Sequence, residues 1–399
     1  MASESADMSQ SQQATREIYE RLFFEHFTSR SPEVTAEGRT SFHHSEYQRV
    51  LGLRPEDFRG CSILESGCGP GSHSLILSNL AGPNGRLRSF DLSSVNIEKG
   101  RELLVSNRAS SNFDFSVSDA ETFVTNEPPF DIVFSHNWLH HSEDPLRSLF
   151  NILKPLKVGG LFYLCTYQAR TFRALICELV RRQSLTFDHQ AFLRLVPFCF
   201  PGGFAQFNFY QIIHYENLID DYLVPCVRFA HLDSLAPALE RIGLTLLESG
   251  VSSLLRKSDL FDVEDIPLKV GFTKVEHFDD FDTFAAAVGL SLFTETVPFL
   301  PAEAAHVPGL VDRAFGVAGN AGIPHGQMLL AMAMHGLRCQ FATTSGNAPH
   351  RFAALERLLA AVISGNNGAY SLHAPDVWAT KAHPLADAIV RTIPKSRPK

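Results

Sequence analysis

Alternating glycines follow a short apolar stretch, and a carboxylate stands just before them. Residues 61–71 read Cys-Ser-Ile-Leu-Glu-Ser-Gly-Cys-Gly-Pro-Gly, with glycines at 67, 69 and 71 and the carboxylate at Glu65. Glycine adopts positive φ and lets a ligand approach the backbone closely, so this turn is typical of a nucleotide-binding site. Its spacing differs from the dinucleotide fingerprint, in which the third glycine falls three positions after the second.

Two further carboxylates suit the same kind of ligand. Asp91 ends the second predicted strand, about 20 residues after the glycines, where an acid can accept hydrogen bonds from both ribose hydroxyls. Asp119 follows the third predicted strand, where an acid can accept a hydrogen bond from an adenine amino group. Together with the glycine turn, these acids indicate a nucleoside site.

Histidines after the fourth predicted strand are candidates for proton transfer. Residues 135–141 read Ser-His-Asn-Trp-Leu-His-His. Imidazole titrates near neutral pH and can take a proton from a hydroxyl or ammonium acceptor. We expect a helical turn here, on which His136 and His140 share a face and His141 points elsewhere. A structural role for His140 and His141 stays open, and His136 is the preferred base.

An alternation of strands and helices must position these residues. Beyond the strand before the glycines, the predicted strands are Arg86 to Phe90, Phe113 to Val117, Asp131 to Phe134, Leu161 to Tyr167 and Leu244 to Leu247. The predicted helices are Ser72 to Leu80, Val95 to Asn107, one that begins at Asp144-Pro145, and Leu232 to Ile242. This order predicts a doubly wound α/β fold, which binds ligands at the carboxyl ends of its parallel strands.

The segment FDIVFSHNWLHHSEDPLRSL, followed by LKVGGLFYL, resembles the class I S-adenosylmethionine-dependent methyltransferases. Their corresponding text reads D-V-V-x-S-x-x-x-L-H-H-x-x-D-P and then L-K-P-G-G. The resemblance covers about residues 55–170, and Val158 stands where the family usually has proline. It implies a Rossmann-like sheet of seven strands and S-adenosyl-L-methionine as the cofactor. The cofactor-binding residues that it implies are Glu65, Gly67, Cys68, Gly69, Gly71, Asp91, Leu92, Asp119, Ala120 and Ser135.

Aromatic residues are candidates for the methyl-acceptor site. By the resemblance, residues 1–54 form a helical cap whose Tyr19 borders the active site. An insertion at about 170–230 is rich in rings and predicts a substrate lid, because ligand pockets are lined mainly by apolar and aromatic side chains. The predicted acceptor contacts are Tyr19, Trp138, Phe207, Tyr210 and Tyr222. The alternative is that these rings form an ordinary hydrophobic core.

The chain is longer than one methyltransferase core. Its 399 residues exceed a core of about 250, so a second domain is expected. We predict the core with its lid at residues 55–250 and an additional C-terminal α+β domain of unknown role at 260–399. Within the latter, a helix is predicted from Arg351 to Ser364 and a strand from Ala369 to Leu372.

Charge and composition bear on partners and location. The net charge of −8, without a long basic run, argues against nucleic acid as a partner. No apolar stretch reaches the roughly 18 residues of a membrane span, and seven cysteines without a C-x-x-C pair predict a cytoplasmic protein. His231-Leu232-Asp233 has the H-x-D spacing of an iron site but lacks a matching distal histidine, so no metal is expected.

The leading hypothesis is a methyltransferase that uses S-adenosyl-L-methionine to methylate O, N or C of a small, partly apolar or aromatic molecule, as in natural-product biosynthesis. One alternative is a protein or RNA methyltransferase that docks its substrate on the C-terminal domain. Another is a binding protein that keeps the fold and cofactor site without transferring methyl groups. A homodimer partner is compatible with each of these hypotheses.

Overall fold

The computed structural model describes residues 10–20, 46–109, 111–169, 171–183, 221–222, 224–247, 268–288, 293–294, 302–320, 326–327, 330–331, 334–335, 338 and 348–364. The chain divides into two compact units. Residues 1–169, 224–258 and 266–296 form the first unit, and residues 170–223, 259–265 and 297–399 form the second. Phe207, Tyr210 and the predicted strand at 369–372 lie outside the described residues.

A seven-stranded sheet lies at the centre of the first unit, in the order β3-β2-β1-β4-β5-β8-β7. The strands of this unit are β1 (Ser62–Ser66), β2 (Arg86–Asp91), β3 (Asn112–Val117), β4 (Phe130–His136), β5 (Leu156–Thr166), β6 (Phe229–Ala230), β7 (Leu244–Leu246), β8 (Leu268–Lys274) and β9 (Phe293–Thr294). Strands β1 to β5 are parallel, whereas β8 runs antiparallel to both of its neighbours. The predicted seven-stranded, Rossmann-like sheet is therefore confirmed.

Helices follow the strands as the sequence predicts. Within the described residues, the helices that we number are α1 (Gln10–Ile18), α2 (Ser72–Ala81), α3 (Ser94–Ser106), α4 (Pro145–Leu153), α5 (Phe172–Arg181), α6 (Leu232–Glu240), α7 (Phe281–Val288), α8 (Val307–Asn320) and α9 (Ala348–Ile363). Asp144 caps α4 by accepting a hydrogen bond from the Arg147 backbone N–H at 2.9 Å. Such caps satisfy backbone donors that a helix leaves unpaired at its start.

One face of the sheet is covered by α2, α3 and helical residues 46–51. Tyr47, Val50 and Leu51 from the last of these join the same buried cluster as Leu77 of α2 and Leu104 of α3. The strands contribute inward-facing residues to this cluster, namely Ile63, Leu87, Phe115, Ile132, Phe134, Tyr163 and Cys165. Burying this apolar surface is the main source of stability for such a layer. The same packing places residues 46–51 against β4 and β5.

Strand β8 comes later in the chain than the predicted end of the core domain. We expected that domain to end near residue 250, and β8 occupies Leu268–Lys274. It inserts between β5 and β7, with Cys165 opposite Lys269 and Leu246 opposite Phe272. An alternating pattern predicts a strand but not its partners, so this long-range pairing is not readable from LKVGFTK itself.

The second unit, as far as it is described, is helical. Helices α8 and α9 are linked by an ion pair between His306 Nε2 and Glu356 Oε1 at 2.7 Å, and α9 confirms the predicted helix at 351–364. Buried Asp221 pairs with Arg173 at 2.7 Å and with Arg338. Burial alone would raise the pKa of Asp221, but the two guanidinium groups outweigh it and hold that pKa well below its usual range.

Candidate active site

The carboxyl ends of the parallel strands bring the predicted residues to one edge of the sheet. β1 ends at Ser66, β2 at Asp91 and β4 at His136. The register places Ser66 beside Phe90 on one side and beside Ser135 on the other. The glycine turn, the acid after β2 and the histidines after β4 are therefore neighbours in space, as the topology predicts.

The glycines of the turn all have positive φ, but they differ in their surroundings. The φ values are 64° at Gly67, 52° at Gly69 and 87° at Gly71. A Cβ at Gly67 would collide with the Trp138 ring, and a Cβ at Gly71 would come within 2.7 Å of Gly100 Cα. A Cβ at Gly69 would meet nothing within 4 Å. Two glycines are thus needed for packing, whereas Gly69 leaves open space above the turn.

Asp91 is anchored to the turn and to the next helix. Its Oδ2 accepts a hydrogen bond from the Gly69 backbone N–H at 2.8 Å. Its Oδ1 accepts from the Ser93 backbone N–H at 2.9 Å and from Asn96 Nδ2 at 3.1 Å. Burial raises the pKa of Asp91, and these donors oppose the rise. The carboxylate is consequently held in one orientation at the sheet edge, with Leu92 half-buried beside it.

Asp119 lies after β3, two strands from the glycine turn. Its Oδ1 accepts a hydrogen bond from the Glu121 backbone N–H at 2.9 Å, and its Oδ2 accepts one from Gln12 Nε2 of α1 at 2.9 Å. Partial burial raises its pKa. The neighbouring Ala120 is buried, and its carbonyl accepts a hydrogen bond from Asn151 Nδ2 at 2.9 Å.

Glu65 is buried in the protein interior. It is 1% exposed, and its Oε2 accepts hydrogen bonds from the hydroxyls of Ser74 and Ser89 at 2.5 Å and 2.7 Å. Burial raises the pKa of Glu65 to about 7, with both serine hydrogen bonds opposing the rise. The observed contacts join β1, β2 and α2, so Glu65 braces the base of the turn.

Cys68 and Ser135 complete the predicted cofactor set. The Cys68 backbone N–H donates to the Phe90 carbonyl at 3.1 Å, and burial raises the pKa of its thiol. Ser135 is buried near the end of β4, and its Oγ makes no hydrogen bond to any described residue. A buried hydroxyl without a partner is costly, so this one is suited to meet a ligand.

The three candidate histidines have three different environments, and the expected helical turn shared by His136 and His140 is wrong. His136 is the last residue of β4, whereas His140 and His141 lie in a short 3₁₀ turn, Leu139–His141. Asn137, between the strand and this turn, has a φ of 62° and redirects the chain. A change of backbone direction at that point cancels the i, i+4 relationship on which the prediction rested.

His140 and His141 are packed into the protein. His140 is fully buried, its Nδ1 lies 3.2 Å from Thr166 Oγ1, and its ring stacks on Tyr167 with centroids 3.6 Å apart. His141 Nδ1 lies 2.9 Å from the Cys226 carbonyl. These contacts favour the structural role that the sequence left open for this pair.

His136 belongs to a cluster of rings drawn from several segments. Its ring centroid lies 3.9 Å from that of His73, which is in the first turn of α2, and 6.0 Å from that of Tyr163 on β5. His73 Nδ1 in turn lies 2.6 Å from the hydroxyl of Tyr47. We call His73, His136, Tyr47 and Tyr163 the ring cluster.

Two charged residues support the ring cluster. The Tyr163 hydroxyl donates to Glu46 Oε1 at 2.6 Å, and Lys269 of β8 pairs with Glu46 Oε2. Burial raises the pKa of both tyrosines well above the usual value, so both are neutral phenols at physiological pH. Sequence reasoning missed His73, Glu46 and Lys269. The one available signal was His73, which stands two residues after the last glycine and hence at the same sheet edge.

The predicted acceptor contacts are dispersed. Trp138 covers Gly67, and its Nε1 donates to Ser66 Oγ at 3.2 Å. Tyr19, just beyond α1, meets the His141 ring edge-on with centroids 6.0 Å apart. Tyr222 belongs to the second unit, where its ring packs edge-on against His335. Of these three, Trp138 and Tyr19 are at the sheet edge, and Phe207 and Tyr210 are among the residues that the structure does not describe.

A comparison with known proteins finds a family to which this part of the chain is similar. The sequence profile of a family described as "Methyltransferase domain" matches residues 57–217. That stretch contains the glycine turn, both acids and the histidines. It is a class I S-adenosylmethionine-dependent methyltransferase domain. The resemblance drawn from the motifs of the methyltransferase domain is therefore confirmed.

The relatives match about a third of this chain or less. The ubiquinone/menaquinone biosynthesis C-methyltransferase UbiE of Pseudomonas savastanoi pv. phaseolicola is 33% identical over 115 residues, which are 28% of this chain and 44% of that protein. The arsenite methyltransferase of Rattus norvegicus is 26% identical over 146 residues, 33% of this chain and 39% of that protein. The chain thus spans less than half the length of these relatives.

Among solved structures, the plantazolicin methyltransferase BpumL is similar with a TM-score of 0.39 and 16% identity, over 67% of this chain and 95% of that one.

In the described ranges, no helix combines the length and apolarity needed to cross a membrane. The same ranges contain no group of three or more side chains placed to hold a metal ion.

Proposed function

We propose that this protein transfers a methyl group from S-adenosylmethionine to O, N or C of a small, partly apolar or aromatic molecule. The observation that carries the proposal is the arrangement along one sheet edge. An open glycine position and two anchored acids suit an adenosine-bearing cofactor, and the ring cluster with a histidine at the end of β4 lies at the same edge.

The residues of the first unit fit that cofactor. A carboxylate offers about four lone-pair sites, so Asp91 can keep its backbone donors and still accept from ribose hydroxyls. Asp119 offers the same chemistry to an adenine amino group, and the Ser135 hydroxyl has no described partner that it would have to leave. Gly69 has no Cβ that would fill the space above the turn.

When bound, the cofactor would supply a methyl group already activated by a sulfonium charge. The protein's task is therefore mainly to position the methyl acceptor against that group and to exclude water. Holding two reactants in the correct geometry can be worth an effective molarity of ~10⁵ M or more. Aromatic faces near a cation add roughly 0.5–2 kcal/mol of attraction. Trp138, which covers Gly67, supplies an aromatic wall at this edge. Tyr47 and Tyr163 are buried and pack against each other.

His136 is the proposed proton acceptor when the methyl acceptor is a hydroxyl or an ammonium group. It ends β4 at the ligand-binding edge, while His140 and His141 are engaged with Thr166 and Cys226. Tyr47 fixes the orientation of His73, and His73 limits the positions that the His136 ring can adopt.

The proposed acceptor is a metabolite. The names of the relatives refer to quinone biosynthesis and to arsenite, and we extend their small-molecule class to this chain. The net charge of −8 weighs against RNA. The absence of a C-x-x-C pair among seven cysteines supports a cytoplasmic location, and we place the activity in natural-product biosynthesis.

Two measurements test the proposal. Calorimetry of S-adenosylhomocysteine against the full chain is expected to show saturable binding, and its absence with folded protein would contradict the cofactor assignment. Methyl-labelled S-adenosylmethionine is then incubated with fractionated small molecules, protein and RNA. Label in the small-molecule fraction is expected, label on a polymer would contradict the substrate class, and label on none would favour a binding protein.

A further inference from the structure

Helix α1 and the two residues after it, 19 and 20, lie close to both acids of the proposed cofactor site. Gln12 Nε2 donates to Asp119 Oδ2 at 2.9 Å, although the two residues are 107 positions apart in sequence. Eight residues later, Glu20 Oε1 lies 3.4 Å from Ser94 Oγ, and the negative charge of Glu20 is one cause of the raised pKa of Asp91. Residues i, i+4 and i+8 share a helix face, and eight residues span ~12 Å. One face of this segment therefore reaches the neighbourhood of both acids.

The group that Gln12 presents to Asp119 is chemically close to adenine. A carboxamide NH₂ and the exocyclic amino group of adenine are both planar nitrogens with two hydrogens to donate. Asp119 Oδ1 already accepts from the Glu121 backbone N–H, and Oδ2 is the oxygen that Gln12 contacts. The second carboxylate oxygen of Asp119 thus has an amide donor from the chain itself.

We propose that Gln12 is a cofactor-site residue whose carboxamide competes with the adenine amino group for Asp119, and so sets how tightly adenosine-bearing ligands bind. This inference rests on the proposed cofactor. Each carboxylate oxygen has two lone pairs, so binding of the base requires the Gln12 amide either to leave Asp119 Oδ2 or to share that oxygen with the amino group. Both outcomes cost part of the hydrogen bond between Gln12 and Asp119. The apparent affinity for the ligand is reduced in proportion to the time that the amide occupies the carboxylate.

The chain offers a matched control for this contact. Gln13 is the next residue on α1, is exposed, and its amide contacts Glu17 at 3.4 Å. Replacing either glutamine by alanine removes the same chemical group from the same helix, and alanine favours the helical conformation. Only Gln12 contacts an acid of the proposed site.

The first experiment is calorimetry of S-adenosylhomocysteine with wild-type protein, Gln12→Ala and Gln13→Ala. Gln12→Ala is expected to bind about three- to tenfold more tightly than wild type, in line with the loss of one competing hydrogen bond, and Gln13→Ala to match wild type. Gln12→Met keeps the approximate length, removes the N–H donors and adds no charge, and is expected to change affinity in the same direction. Equal or weaker binding by both Gln12→Ala and Gln12→Met would overturn the inference.

A second experiment isolates the amino group. Adenosine and purine riboside, which lacks that group, are compared on wild type and Gln12→Ala. The gain on removing Gln12 is expected for adenosine and should be smaller for purine riboside. Equal gains would overturn competition for Asp119, since they would reflect only access past the helix. If S-adenosylhomocysteine and adenosine bind neither protein, the cofactor assignment itself fails, and that result is distinct from unchanged affinity.

Discussion

The two sides of the candidate site are built in different ways. On the adenosine side, Asp91, Asp119 and the glycine turn each follow a strand of one continuous βαβ series, within about 60 residues of chain. On the acceptor side, the ring cluster and its supports come from residues 46–51, α2, β4, β5 and β8. The contrast is that the residues proposed for the cofactor belong to local motifs, whereas the cluster proposed to face the acceptor is assembled from distant segments.

The largest expected effect is a loss of methyl transfer without a loss of cofactor binding. We expect His136→Asn to lower the methyl-transfer rate by about 10²- to 10⁴-fold on an acceptor that must lose a proton. The affinity for S-adenosylhomocysteine should not change, since the adenosine-side acids are intact. Rates are measured across pH with the acceptor that methyl labelling identifies.

The control for that variant is His277→Asn, which alters an exposed histidine beyond β8. It should keep the wild-type rate. A His136→Asn enzyme with an unchanged rate and pH profile would remove His136 from proton transfer and leave it a wall of the site.

The next largest effect is weaker binding of the cofactor on the adenosine side. Asp91→Ala is expected to weaken S-adenosylhomocysteine binding about 100-fold, because a charged, bidentate acceptor is lost. The fold should persist, as judged by circular dichroism. Asp114→Ala is the matched control, since Asp114 lies on neighbouring β3 with 59% of its side chain exposed. If both variants bind equally well, Asp91 does not contact the ligand.

The glycine turn separates binding from folding within the adenosine side. Gly71→Ala places a Cβ against Gly100 and is expected to lower the free energy of unfolding by ~2–4 kcal/mol. Gly69→Ala meets no neighbour, so its cost should be only about 1 kcal/mol of backbone strain, while it weakens S-adenosylhomocysteine binding at least tenfold. Denaturation and calorimetry of both variants check this. Similar stability losses with unchanged binding in both would contradict an open ligand position at Gly69.

The smallest effect concerns Glu65, which the resemblance assigned to the cofactor and the structure buries under two serines. Burial raises its pKa from 4.5 to about 7, so the folded state holds a proton that the unfolded state releases. Stability should therefore be greatest below pH 4.5, fall as pH rises to about 7, and then level off. Glu65→Gln should remove this slope and raise the free energy of unfolding at pH 8 by ~1–3 kcal/mol.

Urea denaturation of Glu65→Gln between pH 4 and pH 8 measures that slope, with Glu98→Gln on the exposed face of α3 as the control. A wild-type slope retained in Glu65→Gln would show that another group titrates in this window. Unchanged S-adenosylhomocysteine affinity in the variant would show that Glu65 supports the glycine turn and does not bind the ligand.

Most of the sheet could be predicted because its signals are local. Short apolar strands separated by capped helices recur in register, and the predicted helix after Asp144-Pro145 has its cap at Asp144. The position of β8 between β5 and β7 could not be predicted in the same way. The two strands are about 100 residues apart in the chain. Each shows only an alternation of apolar and polar residues, which does not identify the strand it pairs with.

The histidines show the same limit at the site. The sequence predicted that His136, His140 and His141 lie at the carboxyl end of β4, and the structure places His136 as its last residue and the other two just after it. Their separate roles depend on a positive φ at Asn137 and on partners such as His73 and Cys226 that are far away in the chain. A non-glycine residue with positive φ is uncommon, so a helical turn was the natural expectation.

By itself, the sequence determined the class of fold, the glycine turn and the acids after β2 and β3, because these depend on backbone conformation and on the period of buried residues. Tertiary structure alone decided that Glu65 is buried, that Gln12 reaches Asp119, and that Tyr47, His73 and His136 meet beside Lys269 and Glu46. The physical reason is the range of the interaction. Local steric preferences are encoded in neighbouring residues, whereas desolvation and side-chain contacts arise only when distant segments pack together.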